Sequence, residues 1–164
     1  MSDERDMLET ALRHALSGHQ AHVGTSSVFD GLDWTLAGDR PKNSPHSAYQ
    51  LLRHMVYWQE WVLEWLDGKR PTTPRHAAGS WPDTLAAPDR QAWKREVRRF
   101  QAGLRRLDQH ASDAELLRKR GRRGRSGLDM LQAIASHNSY HAGQVVVVRQ
   151  MVGAWPPPSG GLTW

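Results

Sequence analysis

Three histidines are the residues of this chain best suited to chemistry. His137 and His141 lie four positions apart, in the segment HNSYHAGQ at 137–144. Residues at this spacing share one side of a helix and lie about 6 Å apart along its axis. His54 lies far upstream, on a second apolar helical pattern. Three neutral imidazoles that converge from two packed helices can hold one divalent metal and leave coordination positions open, as catalytic metal sites do.

Each of these histidines also has an ordinary explanation, which is packing in the core as a neutral side chain. The spacing of the pair on one helix favours ligation, as does the position of His54 on a tryptophan-lined stripe. From the residues alone, metal binding and core packing both stay open. His46, two turns before His54 on nearly the same face, is a candidate for the mouth of the cavity, and His22 is a further candidate.

Four more residues are candidates for support of such a site. Gln144 lies on the stripe of the histidine pair and is placed to hydrogen-bond a ligand or a substrate. Tyr140 and Asn138 are next to these histidines in the sequence and could orient the imidazoles by contacting the side of each ring that does not face the metal. Trp58, one turn after His54, is a candidate wall of the pocket. For each of the four, packing between helices is the alternative.

Composition narrows the chemistry. The chain has 164 residues and no cysteine, so a disulfide, a thiolate ligand and a protein thiol nucleophile are all excluded. The length predicts one domain over 1–164. The charged N-terminus does not resemble a signal peptide, and no apolar run approaches the roughly 18–20 residues of a membrane span. A cytoplasmic protein without membrane contact is the expectation.

The net charge of +5 is concentrated in the segment RKRGRRGR at 118–125. Such a run is able to contact phosphates, which makes a nucleic-acid-associated protein of the damage response the alternative function. A solvated loop between helices is the plainer interpretation, because blocks of like charge are commonly solvated.

The apolar spacing predicts four long helices and no strand. Ser44 and Pro45 are predicted to begin the second long helix, Asp89 the third and Ser126 the fourth. The predicted ranges are 2–17, 44–68, 89–110 and 126–153, with a short helix from Thr25 through 29, a polar loop at 36–43 and a Pro-rich connection at 69–88. Four amphipathic helices of this size are typical of an all-α four-helix bundle.

Several motifs, taken in order, resemble the DinB-like superfamily, most closely its poorly characterised damage-inducible members. They are AHV at 21–23, HSAYQLLRH at 46–54, HNSYHAGQ at 137–144 and GAWPPP at 153–158. The resemblance covers nearly the whole chain. It implies up-down-down-up connectivity, a homodimer, and a divalent metal, nickel or zinc, held by three histidines. Mapped onto this sequence, those ligands are His54, His137 and His141.

The resemblance also implies a class of reaction. Similar proteins transfer or use low-molecular-weight thiols such as bacillithiol, mycothiol or glutathione, and one is a maleylpyruvate isomerase. The expectation is a metal-dependent transferase that activates a small-molecule thiol against an electrophile, or a hydrolase that uses a metal-bound water. Because the chain has no cysteine, the thiol must come from outside. Arg53 and Arg149 are candidates to bind the carboxylate of an anionic thiol cofactor.

Overall fold

The computed structural model describes residues 2–121 and 124–161, and within these ranges the chain is helical with no named strand. The predicted all-α class is therefore confirmed. There are six α-helices in the described part, together with a 3₁₀ turn at Ala77–Ser80. The helices are α1 (Ser2–Ser17), α2 (Trp34–Gly38), α3 (Ala48–Leu66), α4 (Arg90–His110), α5 (Ala114–Arg118) and α6 (Gly127–Met151).

Two of the predicted helix starts are confirmed by side-chain caps. The Asp89 carboxylate accepts the Ala92 amide at the start of α4. At the start of α6, Ser126 and Asp129 form a reciprocal capping box in which each side chain accepts the other's backbone amide. These caps are local in sequence, which is why spacing alone could find them.

Two local predictions are wrong. α3 begins three residues later than predicted, because Ser47 and not Ser44 forms a capping box, with Gln50 as its partner. The Ser44 hydroxyl instead donates to the His46 carbonyl at 2.7 Å. The predicted helix from Thr25 through 29 is a series of turns, and the Thr25 hydroxyl is buried without a partner and caps nothing.

The remaining short helices were not predicted. α2 lies partly inside the predicted loop at 36–43, and its start is capped by Asp33. α5 precedes the basic segment and is capped by Asp113. Both are only five residues long, too short for an apolar repeat to be recognised.

The four long helices pack side by side. α1 and α3 each pack against both α4 and α6. One buried cluster lies towards the start of α3 and includes Phe29, Met55 and Phe100. A second lies towards the other end and includes Leu107 and Leu131. The predicted up-down-down-up order of these helices stays a prediction.

The connection between α3 and α4 is folded against α3. The Gln50 amide donates to the Pro82 carbonyl at 3.1 Å, and the Ser47 hydroxyl donates to the Leu85 carbonyl. Hydrogen bonds of this kind hold a Pro-rich segment in place where helix pairing cannot. They set Ser80 and Trp81 over the middle of α3.

None of the described helices has the length and apolar character needed to span a membrane.

Candidate metal centre

The structure brings the three predicted histidines together. His54 comes from the middle of α3, while His137 and His141 come from successive turns of α6, the helix that packs beside it. One ring nitrogen from each lies within 4.8 Å of the other two. The Nε2 atoms of His54 and His137 are 3.2 Å apart. His54 and His141 are both only 6% exposed, so the cluster faces the interior.

Hydrogen bonds orient two of the three rings. Nδ1 of His54 lies 3.3 Å from the Ser80 carbonyl oxygen, and Nδ1 of His141 lies 2.7 Å from Oε1 of Gln144. An oxygen of either kind accepts, so each Nδ1 carries the hydrogen and each Nε2 keeps its lone pair. Partners of this type fix the tautomer and direction of metal-binding histidines.

The donor set fits a divalent cation. With its Nδ1 protonated, His54 presents a lone pair to the nitrogen of His137 at 3.2 Å. Two facing lone pairs repel unless a proton or a cation lies between them. Two ligand nitrogens of a tetrahedral zinc site stand roughly 3.3 Å apart, given zinc–nitrogen distances of about 2.0–2.1 Å. Nδ1 of His137 is buried without a hydrogen-bond partner that would fix its tautomer, so this ring is able to turn an Nε2 lone pair to a cation at the centre.

Burial keeps these imidazoles neutral. Desolvation, reinforced by the neighbouring histidines, lowers the pKa of His54 to about 3 and that of His137 to about 4. The pKa of His141 is lowered as well, again mainly by burial. A metal ligand must be deprotonated. The site therefore offers three neutral nitrogens at neutral pH, which would leave a bound metal its full positive charge.

An aromatic stack covers the centre on the side of the connection. Trp81 lies between two imidazoles, with its ring centroid 3.8 Å from that of His54 and 3.6 Å from that of His46, both nearly parallel. Sequence reasoning did not find Trp81, because it lies in an irregular segment. A tryptophan isolated in a polar, Pro-rich stretch was the only available signal.

The other predicted supporting residues divide into two groups. Gln144 contacts the centre through His141, and the exposed Tyr140 has its ring 5.0 Å from the same histidine. His46 stacks on Trp81, which in turn stacks on His54, and its charge acts on both His54 and His141. These three predicted residues also line a smaller cleft of about 320 Å³ on the outer side of α6.

Asn138 and His22 have their main partners elsewhere, although the Asn138 side chain also interacts with His137 and raises its pKa. The Asn138 amide donates to Oε1 of Gln59 at 3.3 Å, and Gln59 donates to the Phe100 carbonyl at 2.8 Å. This buried chain links α6, α3 and α4. His22 contacts the hydroxyl of Ser139 at 2.6 Å and does not belong to the three-histidine cluster.

The two arginines proposed for anion binding are already engaged. Arg149 is 1% exposed and donates to the Val28 carbonyl at 2.7 Å, so it joins α6 to the 19–33 segment. Arg53 forms a salt bridge with Glu96 at 3.1 Å. Arg149 is therefore not free for a ligand at the centre, whereas Arg53 is paired but still partly exposed.

Trp58 connects the centre to a larger cleft. Its ring centroid lies 6.5 Å from those of both His54 and His137. Trp58 and His137 are among the residues that line a cleft of about 850 Å³ running along α3. The stripe of tryptophans predicted to face the core is thus only partly buried, because it forms the wall of this cleft.

Part of the basic segment lies at the edge of the same cleft. Lys119 and Arg125 lie on its edge, whereas Arg122 and Arg123 fall outside the described residues. Nucleic-acid binding by this segment stays a prediction.

Fold and site together define a class, an all-helical protein with three histidines clustered between two packed helices. The chain belongs to the DinB superfamily, whose family model matches residues 18–145, a range that includes all three histidines. Proteins of this superfamily in general bind metal. No significant match is found among curated proteins or among solved structures.

Proposed function

We propose that this protein is a divalent-metal-dependent transferase that activates a low-molecular-weight thiol against an electrophile, with His54, His137 and His141 as its ligands. The observation that carries the proposal is the convergence of three ring nitrogens, with two of the rings oriented by hydrogen bonds that they donate to Ser80 and Gln144. Neutral nitrogen donors suit zinc and nickel.

A divalent metal, when bound there, would lower the pKa of a thiol or a water molecule that it coordinates. The protein's own contribution is to hold three unprotonated imidazoles and to limit water around them. In the transfer, the thiolate sulfur bonds to the electrophilic carbon, the leaving group departs with its electron pair, and the thiol proton goes to solvent. Hydrolysis is the variant in which water replaces the thiol.

Metal content tests the ligand set. Untagged protein should contain close to one equivalent of zinc or nickel by plasma mass spectrometry, and a His54→Ala, His137→Ala variant should lose it. A His14→Ala, His76→Ala variant is the matched control, since it removes two exposed histidines outside the cluster. A wild type that takes up neither metal on reconstitution would overturn the proposal.

Thiol transfer is tested with glutathione and 1-chloro-2,4-dinitrobenzene, whose thioether product absorbs in the near ultraviolet. The chain has no cysteine, so no protein thiol competes for the electrophile. Turnover should need both metal and thiol and should be lost in the variant without ligands. If bacillithiol, mycothiol and glutathione all give only the uncatalysed rate with metal-loaded protein, thiol transfer is the wrong reaction.

We also propose a homodimer that uses the outer face of α6. Tyr140, Val147 and Met151 lie on one side of this helix and are 67%, 48% and 56% exposed. Apolar side chains clustered on one face often mark a contact between proteins. Light scattering after size-exclusion chromatography should give a dimer for the wild type and a monomer for Val147→Lys. A monomeric wild type would remove the proposal.

A further inference from the structure

The cleft beside the metal centre has an aromatic wall. Trp58, Trp61 and Trp65 follow one another along α3, and all three are partly exposed where they line it. The ring centroids of Trp58 and Trp61 are 6.0 Å apart. The planes of these two rings are inclined at 61°, so the row of indoles offers both ring faces and ring edges to an aromatic ligand. The indole N–H of Trp61 is buried without a protein acceptor, which leaves one donor unsatisfied in this wall.

The edge of the same cleft is positively charged. Four exposed cations line it, and its lining within the described residues contains no carboxylate. None of the four forms a salt bridge with a described residue, although the charge of Arg125 acts on the nearby Asp129. The cations are Lys69, Arg70, Lys119 and Arg125.

Local folding brings the basic segment to this edge. The Gly121 amide donates to the Arg125 carbonyl at 2.7 Å, and Arg120 forms a bridge with Ser126, so the described residues at the two ends of the segment lie side by side. A Cβ atom at Gly121 would lie 2.6 Å from the ring of Trp65. The absence of a side chain therefore lets the turn lie directly against the tryptophan wall.

We propose that this cleft binds a small planar aromatic carboxylate, with the ring on the tryptophan wall and the carboxylate among the cations at the edge. A ligand with an apolar body and an anionic end matches both surfaces, whereas a neutral arene matches only one. His137 lines the cleft and belongs to the metal cluster, so such a ligand would lie next to the centre. A role for this ligand as the electrophile of the transfer rests on the proposed function. The binding site itself does not depend on that function.

The test uses 2-naphthoate and its neutral counterpart 2-naphthylmethanol, titrated calorimetrically into the full chain. We expect naphthoate to bind about 10-fold more tightly than the alcohol at low salt, and this preference to fall as salt screens the cations. Lys69→Gln with Arg70→Gln should reduce the preference several-fold. Arg98→Gln with Arg105→Gln is the matched control, since it removes the same charge from exposed positions of α4 outside the cleft.

A His54→Ala, His141→Ala variant separates the cleft from the metal centre. Naphthoate should bind this variant as it binds the wild type, whether or not thiol transfer is ever observed. Equal affinity for the two naphthalenes, equal losses in the cleft and control variants, or dependence of naphthoate binding on the two histidines would each overturn the proposal. Failure of thiol transfer with naphthoate binding intact would count against the proposed function alone.

Discussion

A single methyl group at Gly103 should test the buried network that links three helices. Gly103 is buried in α4, and a Cβ atom built there would lie 1.9 Å from Nε2 of Gln59 and 2.8 Å from its Cδ. The Gln59 side chain is 1% exposed and is bonded both to the Phe100 carbonyl and to the Asn138 amide. It cannot move aside without breaking those bonds.

The magnitude follows from two opposed effects. Gly→Ala inside a helix ordinarily stabilises a protein by roughly 0.5–1 kcal/mol. Displacing the amide of Gln59 leaves buried polar groups unsatisfied, at a cost of about 1–3 kcal/mol each. The network loses two bonds, so Gly103→Ala should lower the free energy of unfolding by about 2 kcal/mol. For a chain of this size that is a fall in Tm of about 4–8 °C.

The assay is urea unfolding followed by circular dichroism, with Gly143→Ala as the control. Gly143 also lies inside a long helix, but a Cβ atom there would meet nothing within 4 Å. It should therefore gain roughly 0.5–1 kcal/mol. In a Gln59→Ala background, Gly103→Ala should no longer destabilise the protein. If Gly103→Ala in the wild type were stabilising like Gly143→Ala, the argument from the network would be refuted.

Three further predictions concern the site and its helix. The metal-free protein should lose about 2 kcal/mol or more of stability between pH 7 and pH 5. Burial lowers the pKa of His54 to about 3 and that of His137 to about 4, whereas the same histidines take up protons from about pH 6.5 downward in the unfolded chain. Urea unfolding at each pH measures this, and the His54→Ala, His137→Ala variant should lose clearly less stability over the same pH range, with the remainder due to His141 and His46. Gln144→Leu should weaken zinc binding 10–100-fold in a chelator competition, because His141 loses the acceptor that fixes its tautomer; unchanged affinity would show that Gln144 does not orient the ligand. Ser126→Ala should cost about 1 kcal/mol through loss of the cap of α6, measured by thermal unfolding, and an unchanged Tm would contradict the capping role.

Most of the helical framework could be predicted from the sequence because its signals are local. The apolar repeats identify the four long helices, and the side chains at Asp89 and Ser126 mark two of their starts. The error at the start of α3 has the same origin. Ser44 and Ser47 are both acceptable caps by residue type, and only the reciprocal bond with Gln50 decides between them.

The candidate ligands were also predictable, but their surroundings were not. His137 and His141 share a helix face by spacing alone, His54 was added because of its position on a tryptophan-lined stripe, and the resemblance to a known superfamily strengthened all three. Spacing carries no information on which distant segment covers them. Trp81 and Ser80 reach His54 only because an irregular connection is hydrogen-bonded back onto α3.

The sequence by itself determined the four long helices, the absence of a protein thiol and three candidate ligands, because these depend only on residue type and on spacing along the chain. Tertiary structure alone decided what each charge and each aromatic ring faces. It buries Arg149, although arginine is usually a surface residue. It also places Lys119 and Arg125 of the basic segment beside the tryptophan wall. Such pairings depend on contacts between segments far apart in the chain, and no local pattern encodes them.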